Sequence, residues 1–299
     1  MRILVTGSRG LIGQALVRFL AAGGHDITRL VRSRPPSREA QVFWDPEAGT
    51  ADIAALEGFD AVVHLAGENI AGRWTAKKKA RIYDSRVKGT RLLSESLVQL
   101  TKPPKVLVSV SAVGYYGDCG DQIVREDHPP GPGFLAQVCR DWEAAAEPAV
   151  RSGIRVVNPR MGVVLSVAGG VFPWMLRPFR IGLGGPVGSG RQYMSWVTID
   201  DLMEIILVAI THESLKGPVN AVAPNPVTNL EFTRTLGRIL RRPTVFPLPA
   251  FVAHLALGEM ADELLLASAC VEPAYLLSTG YQFRFPRLEG ALRHLLGKE

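Results

Sequence analysis

Thr6-Gly7-Ser8-Arg9-Gly10-Leu11-Ile12-Gly13 is the stretch on which the fold turns. Before it stands a short apolar run, Ile3–Val5, which reads as a buried strand. After it Ile12, Ala15, Leu16, Phe19 and Leu20 recur at helical spacing from Leu11 to Ala22, and Gly23-Gly24 stops the pattern. Three glycines between a strand and a helix have separate uses. Gly7 permits the tight turn, Gly10 lets backbone approach a ligand, and Gly13 lets the helix pack close to the strand. The free N–H groups at Leu11 and Ile12 then face outward from the positive end of the helix. A strand-loop-helix of this kind binds the pyrophosphate of a dinucleotide, and the strand and helix on either side lift the spacing above a plain turn.

Working outward, Ile27–Val31 and Ala61–Leu65 read as further strands. A long helix from about Thr75 to Leu100 has Tyr83, Val87, Leu93, Leu97 and Leu100 on its buried side, and Pro103-Pro104 ends it. Val106–Val110 is another strand, Phe134–Arg151 is helical, and a strand begins at Val156-Val157. Strand and helix in repeated alternation predict a parallel sheet covered on both faces, the doubly wound α/β class. After Leu165 the chain turns irregular and rich in Gly and Pro. Helical patterns then run over Asp200–Ile210, Thr228–Leu240 and Phe251–Ala269, with an apolar strand at Val219–Val222. This predicts a dinucleotide-binding lobe over 1–165 and about 195–224. A smaller mixed α/β C-terminal substrate lobe takes about 166–194 and 225–299.

The end of the second strand bears on the cofactor. Sites that prefer NAD place Asp or Glu about 20 residues past the glycines, for the ribose 2′-hydroxyl. Here the run is Leu30-Val31-Arg32-Ser33-Arg34, with Arg32 at that position and no carboxylate. An arginine grips a 2′-phosphate by charge-assisted hydrogen bonds, and Arg9 in the loop stands to help. NADP is the expected cofactor.

Composition narrows the rest. The 299 residues are 47% hydrophobic and 21% charged, an ordinary globular balance, and 34 basic against 28 acidic side chains leave a modest excess without a basic tract. Nucleic acid is not an expected partner. Cys119, Cys139 and Cys270 form neither a CxxC pair nor a metal-ligand cluster. No apolar run approaches the roughly 20 residues that span a bilayer, so the reading is of a soluble, cytoplasmic protein without a membrane partner. The Lys77-Lys78-Lys79 run reads as the solvated start of a helix.

The glycine loop, Val62-Val63-His64-Leu65-Ala66-Gly67, and Val108-Ser109-Val110-Ser111 ahead of Tyr116-Gly117 resemble extended short-chain dehydrogenases/reductases of the sugar-epimerase type. Closer features are Gly67-Glu68-Asn69-Ile70, Ser85-Arg86, Gly114-Tyr115-Tyr116-Gly117 and Trp142-Glu143-Ala144-Ala145. With Gly182-Leu183-Gly184-Gly185-Pro186, Val227-Thr228-Asn229 and Thr279-Gly280-Tyr281-Gln282-Phe283 they resemble its atypical SDR39U1-like epimerase branch, nearly end to end. The resemblance implies a Rossmann lobe that binds NADP, with Arg32 on the 2′-phosphate. It implies Leu65 and Ala66 along the adenosine and ribose, with Gly67 and Glu68 near them. Arg81 and Arg86 would reach in from the long helix, and Arg160 to Val163 would approach the nicotinamide. It also leaves a homodimer through helices of the first lobe among the open assemblies.

Typical members use Ser or Thr, Tyr and Lys, the lysine lowering the tyrosine pKa. Ser111 stands at a serine position, but the residues four beyond each tyrosine are Val87, Cys119, Gly120, Val197, Thr279 and Phe285. If Glu143 is matched to the glutamate that often follows the lysine, Leu135 and Cys139 fall where Tyr and Lys belong. Two functions of different class stay open. One is an epimerase-like oxidoreductase of an unknown small substrate, with Tyr115 or Tyr116 as acid and Ser111 in support. The other is an NADPH-binding sensor with little turnover. His64 reads as strand-end packing. Arg177, Arg180 and Arg191 around the Gly182–Gly190 loop read as surface residues or as the lining of an anionic pocket.

Overall fold

A computed structural model describes residues 1–32 and 40–298; Ser33 and Arg34, which follow Arg32 in the run quoted above, lie outside the described residues. The first strand, β1 (Arg2–Thr6), runs into the glycine loop and then α1 (Leu11–Ala22), as the spacing predicts. β2 (Asp26–Val31), β3 (Gln41–Asp45) and a two-residue β4 (Thr50–Ala51) follow, then β5 (Ala61–His64) and the long α2 (Ala76–Val98). β6 (Val106–Ser109) and β7 (Ser111–Ala112) lead to a short β8 (Ile123–Val124), α3 (Phe134–Ala144), α4 (Glu147–Arg151) and β9 (Arg155–Met161). Next come β10 (Val163–Leu165), α5 (Phe172–Arg180), β11 (Tyr193–Met194), β12 (Trp196–Thr198), α6 (Ile199–Thr211) and β13 (Gly217–Ala221).

The main sheet is ordered β13-β9-β6-β5-β1-β2-β3-β4, with β7 also on β9, and every pair is parallel except β3 with β4. From β1 the chain first builds outward through β2 and β3, then returns to β5 on the other side of β1. Strand order therefore reverses between β1 and β5, and the carboxyl ends of these two strands open the crevice in which such sheets hold ligands.

Strand side chains alternate between two cores. Ile3, Val5, Ala61 and Val63 pack with Leu16, Leu20, Leu202 and Ile206 of α1 and α6. Leu4, Val62 and Leu107 face the other way, toward Leu93 and Leu97 of α2. A third cluster joins Phe172, Leu176 and Phe179 of α5 to Phe232 and Leu236 of α7 (Asn229–Leu240), with Trp196 between them.

Several elements depart from the sequence reading. Phe134–Arg151 is two helices, α4 restarting with Pro148 in its first turn. The buried side of α2 is Ile82, Gly89, Leu93 and Leu97, while Tyr83 and Val87 are only half-buried. The irregular stretch after Leu165 contains α5: Pro173 sits in the first turn, where a missing N–H costs nothing, and Phe172, Leu176 and Phe179 still form one apolar face. Phe251–Ala269 divides at Gly258, whose φ of +61° closes α8 (Ala250–Leu257) before a π-turn at Ala261–Leu266.

Candidate functional site

Each glycine of the loop has a separate steric reason. Gly7 has φ +62°, and a Cβ there would lie 2.7 Å from the Leu65 backbone. A Cβ at Gly13 would run into the Gly7 carbonyl. At Gly10 the nearest atom would be 3.4 Å away, so Gly7 and Gly13 close the turn and Gly10 leaves its outer side open. Gly10 also precedes α1 without any side-chain cap, so the first N–H groups of the helix are not taken by a capping side chain. Leu11 packs under Gly169 and Gly170, which brings the loop after β10 over the start of the helix.

The β5 end is tied to this loop through one hydroxyl. Thr6 Oγ1 accepts the Leu65 and Ala66 amides at 3.0 and 3.1 Å and lies 2.8 Å from His64 Nδ1. Both amides are donors, so the single hydroxyl proton goes to Nδ1 and the imidazole is neutral. Burial pushes the His64 pKa down to about 4, which fixes that state at neutral pH. His64 is thus a packing and hydrogen-bonding residue at a strand end. Leu65 and Ala66 continue beyond it, half-buried, along the crevice.

Gly67 and Glu68 meet α2. The Arg86 guanidinium lies 3.2 Å from where a Gly67 Cβ would be, donates to the Glu68 and Ile82 carbonyls at 3.0 and 3.2 Å, and covers Trp142. Burial pulls its pKa down from the usual arginine value. The Glu68 carboxylate takes Lys78 at 2.8 Å and has Arg81 at 3.7 Å. The Lys78 hydrogen bond, helped by the charges of Lys78, Arg81 and Arg32, holds it below the ordinary carboxylate range. Arg32 is exposed at the end of β2, on the same side as this cluster. Lys78 and Lys79 are therefore not simply solvated, since Lys79 also pairs with Glu259 at 2.7 Å.

The side where the sequence places the reacting residues is built on β6, β7 and α3. Ser111 is fully buried, and its hydroxyl has no oxygen or nitrogen partner; it lies against the Cys139 thiol. A Cβ at Gly114 would sit 3.3 Å from Leu135 Cβ and 4.0 Å from Cys139 Sγ, so both α3 positions face the turn that follows Ser111. Burial, with Glu143 adding to it, pushes the Cys139 thiol up to about 12, so it is neutral.

Two residues expected at the reacting centre have other partners. Arg160 is buried and makes a bidentate pair with Glu143, both bonds 2.8 Å; it also donates to Tyr116 Oη at 2.9 Å and the Glu126 carbonyl at 3.1 Å. Four of its five N–H groups are thereby used, so the guanidinium is directed into this network rather than toward a cofactor. Burial alone would lower its pKa, but the Glu143 carboxylate outweighs it and holds it raised. Tyr116 is 1% exposed and donates to Asn220 Oδ1 at 2.7 Å, and burial raises it to about 12. Its hydroxyl proton is committed to Asn220. Tyr115 is half-buried, and its ring stacks on the Arg160 guanidinium at 3.5 Å. Val163, on β10, stands beside Ser195 through its amide, next to Gly162, where any Cβ would strike the Ser195 carbonyl.

One functional contact had no local signal. Glu263 accepts the Phe134 and Leu135 amides at 2.8 and 2.7 Å, capping α3 from 129 residues away. For Arg160 the signal was partial: a charge inside the buried strand Arg155–Met161 needs a partner, but nothing local names Glu143.

Comparison with known proteins agrees with this geometry. Residues 3–222 match the model of the NAD dependent epimerase/dehydratase family, and residues 248–295 match a domain of unknown function, DUF1731. An epimerase family protein of Mycobacterium bovis is 45% identical over 97% of this chain and 96% of its own. The crystal structure of human epimerase family protein SDR39U1 with NADPH superposes with a TM-score of 0.92, at 39% identity and full coverage of both chains. A Thermus thermophilus UDP-glucose 4-epimerase with NAD, at 21% identity and TM-score 0.75 over the full length of both chains, shares the fold. With its Rossmann sheet, its glycine loop and these matches, the chain belongs to the NAD-dependent epimerase/dehydratase family.

Proposed function

We propose that this chain binds NADP(H) and acts as an epimerase-type oxidoreductase on a small carbonyl or alcohol substrate, without the usual tyrosine–lysine pair. The observation that carries the cofactor reading is the glycine cradle at the β1–β5 switch point, with Arg32 where a carboxylate would select NAD. The NADPH in the human relative's crystal supports the same choice.

Gly7, Gly10 and Gly13 and the amides of Leu11 and Ile12 would receive the pyrophosphate, with Arg32 and Arg9 at the 2′-phosphate. Leu65, Ala66 and Gly67 would line the adenosine and ribose, and Glu68 with Arg81 would close that end. Arg86 would stand beside Gly67 and Glu68, and Val163 would approach the nicotinamide. The bound cofactor would supply hydride chemistry. Ser111 contributes a hydroxyl donor for the reacting oxygen, and Tyr115, rather than the sequestered Tyr116, is the candidate acid.

A second reading, an NADPH sensor with little turnover, is favoured by one observation: Leu135 and a neutral Cys139 stand where tyrosine and lysine would activate one another.

Titration with NADPH and NADH, followed by nucleotide fluorescence, tests the cofactor. Arg32→Ala should weaken NADPH by roughly 1.5–3 kcal/mol, about ten- to a hundredfold, and leave NADH unchanged. Equal loss for both nucleotides refutes the phosphate contact. Turnover of NADPH over a panel of carbonyl compounds and nucleotide sugars, lost in Tyr115→Phe with binding intact, supports the enzyme. Tight binding with no turnover across the panel supports the sensor.

A further inference from the structure

We propose that the segment 241–251, with α8 and the end of α5, is a docking surface for an anionic lipid bilayer. From Arg241 to Phe251 every residue except Thr244 is exposed. Val245 is 69% exposed, Phe251 73% and Leu255 75%. In α8, whose sequence is AFVAHLAL, Ala253 alone is buried. A helix apolar on all sides is normally enclosed, and a contiguous exposed apolar patch marks an interaction site.

The patch is continuous with α5. A Cβ at Gly182 would lie 3.9 Å from Pro243, Val187 bridges to Leu248, and a Cβ at Gly188 would meet Ala250. Trp174 on α5 and Ile181 just after it stand exposed, with Arg177 over the Trp174 ring at 3.9 Å. Arg180, Arg241 and Arg242 are exposed and have no carboxylate partner among the described residues.

Charge selects the occupant. The acids beside the patch are already engaged: Glu259 with Lys79, Asp262 with His254, and Glu263 at the start of α3. A second copy docked about a two-fold axis would set this basic patch against the same basic patch, whose neighbouring acids are already engaged. Exposed Trp, Phe and Leu mixed with Arg suit the headgroup boundary of an anionic membrane. Pro243, Pro247 and Pro249 remove three N–H donors that such an interface would leave without water. α8 is about 12 Å long at 1.5 Å per residue, so it lies in the boundary and does not span it. This departs from the sequence reading, which expected no membrane partner because no segment is long enough to span; among the described residues no helix is long and apolar enough to cross a membrane.

The full chain should sediment with vesicles of phosphatidylcholine and phosphatidylglycerol, not with phosphatidylcholine alone, and salt should weaken binding. Trp174, 66% exposed, should shift its emission to the blue, since Trp44, Trp74, Trp142 and Trp196 are all buried. Trp174→Phe should abolish that shift and leave sedimentation near wild type. Arg241→Gln with Arg242→Gln should lower the partition constant about thirtyfold. Phe251→Ser with Leu255→Ser, at exposed positions, should abolish binding without lowering the melting temperature. Binding indifferent to lipid charge or to both variant pairs overturns the proposal. So does a solution dimer broken by the serine pair, or capture of acidic peptides in place of vesicles.

Discussion

Removing the Glu143 carboxylate tests the buried network most directly. Arg160 and Glu143 side chains are 3% and 14% exposed, so solvent screens their pairing little. Glu143→Ala would leave a guanidinium in the interior with two of its four bonds gone and no counter-charge within the pair. Breaking a buried pair from one side costs about 3–5 kcal/mol, because the surviving charge keeps its desolvation penalty. For 299 residues the unfolding entropy is about 0.6 kcal/mol per kelvin, so the melting temperature should fall by about 5–8 °C. Glu143→Leu with Arg160→Met removes both charges and should recover most of that loss, since apolar replacement of a buried pair is often neutral. Urea and thermal melts of the single and double variants give the coupling between the two sites. A single variant that loses less than about 1 kcal/mol, or a double variant that loses the sum of both singles, would refute the reasoning.

The loop glycines should separate folding from binding. Gly10→Ala should melt close to wild type and bind NADPH at least tenfold more weakly, because its outer side faces the cradle; Gly7→Ala, strained at φ +62° and against Leu65, should lose stability as well. Thermal melts paired with fluorescence titration decide this. His64 sets a pH dependence: its folded pKa of about 4 lies below the unfolded 6.5, so only the unfolded chain takes up the proton between those values. Stability is full above pH 6.5 and falls by up to about 3 kcal/mol as pH drops toward 4, a slope that His64→Leu should flatten in urea melts across that range.

Legibility followed the range of the interactions. β1, the loop and α1 were readable because steric demands at Gly7 and Gly13 are local and apolar spacing is periodic. β3 was not assigned, although Val42 and Trp44 alternate inward, because five residues hold little periodic signal. α5 was hidden by its prolines: Pro173 stands in the first turn, which tolerates it, but Pro178 lies inside the helix. In the site, α3 turns Leu135 and Cys139, the positions that matching Glu143 to the family glutamate would give to tyrosine and lysine, toward the turn after Ser111. The engagement of Arg160 with Glu143, of Tyr116 with Asn220 and of Glu263 with α3 was not readable, since each joins residues 17 to 129 positions apart. Pairings of that reach depend on which strands become neighbours, and no window of sequence contains that.

The two halves of the site differ in what they ask of side chains. The cofactor half relies on backbone: three glycines, the amides of α1 and the turn held by Thr6. The half around Ser111 gathers groups that are neutral at pH 7, with Cys139 and Tyr116 raised to about 12. Its charges are those of the closed Arg160–Glu143 pair. A tyrosine normally becomes acidic enough for catalysis by standing near a lysine ammonium. Here the Arg160 guanidinium lies against the face of Tyr115, 3.5 Å from the ring centre, while the cation itself is neutralised by Glu143. Tyr115 is half-buried and lacks the Asn220 bond that occupies Tyr116, so on the proposed reading it is the phenol left to exchange a proton with substrate or water. Tyr115→Phe should then lower turnover with cofactor binding intact, whereas Tyr116→Phe should chiefly report the stability of the network behind it.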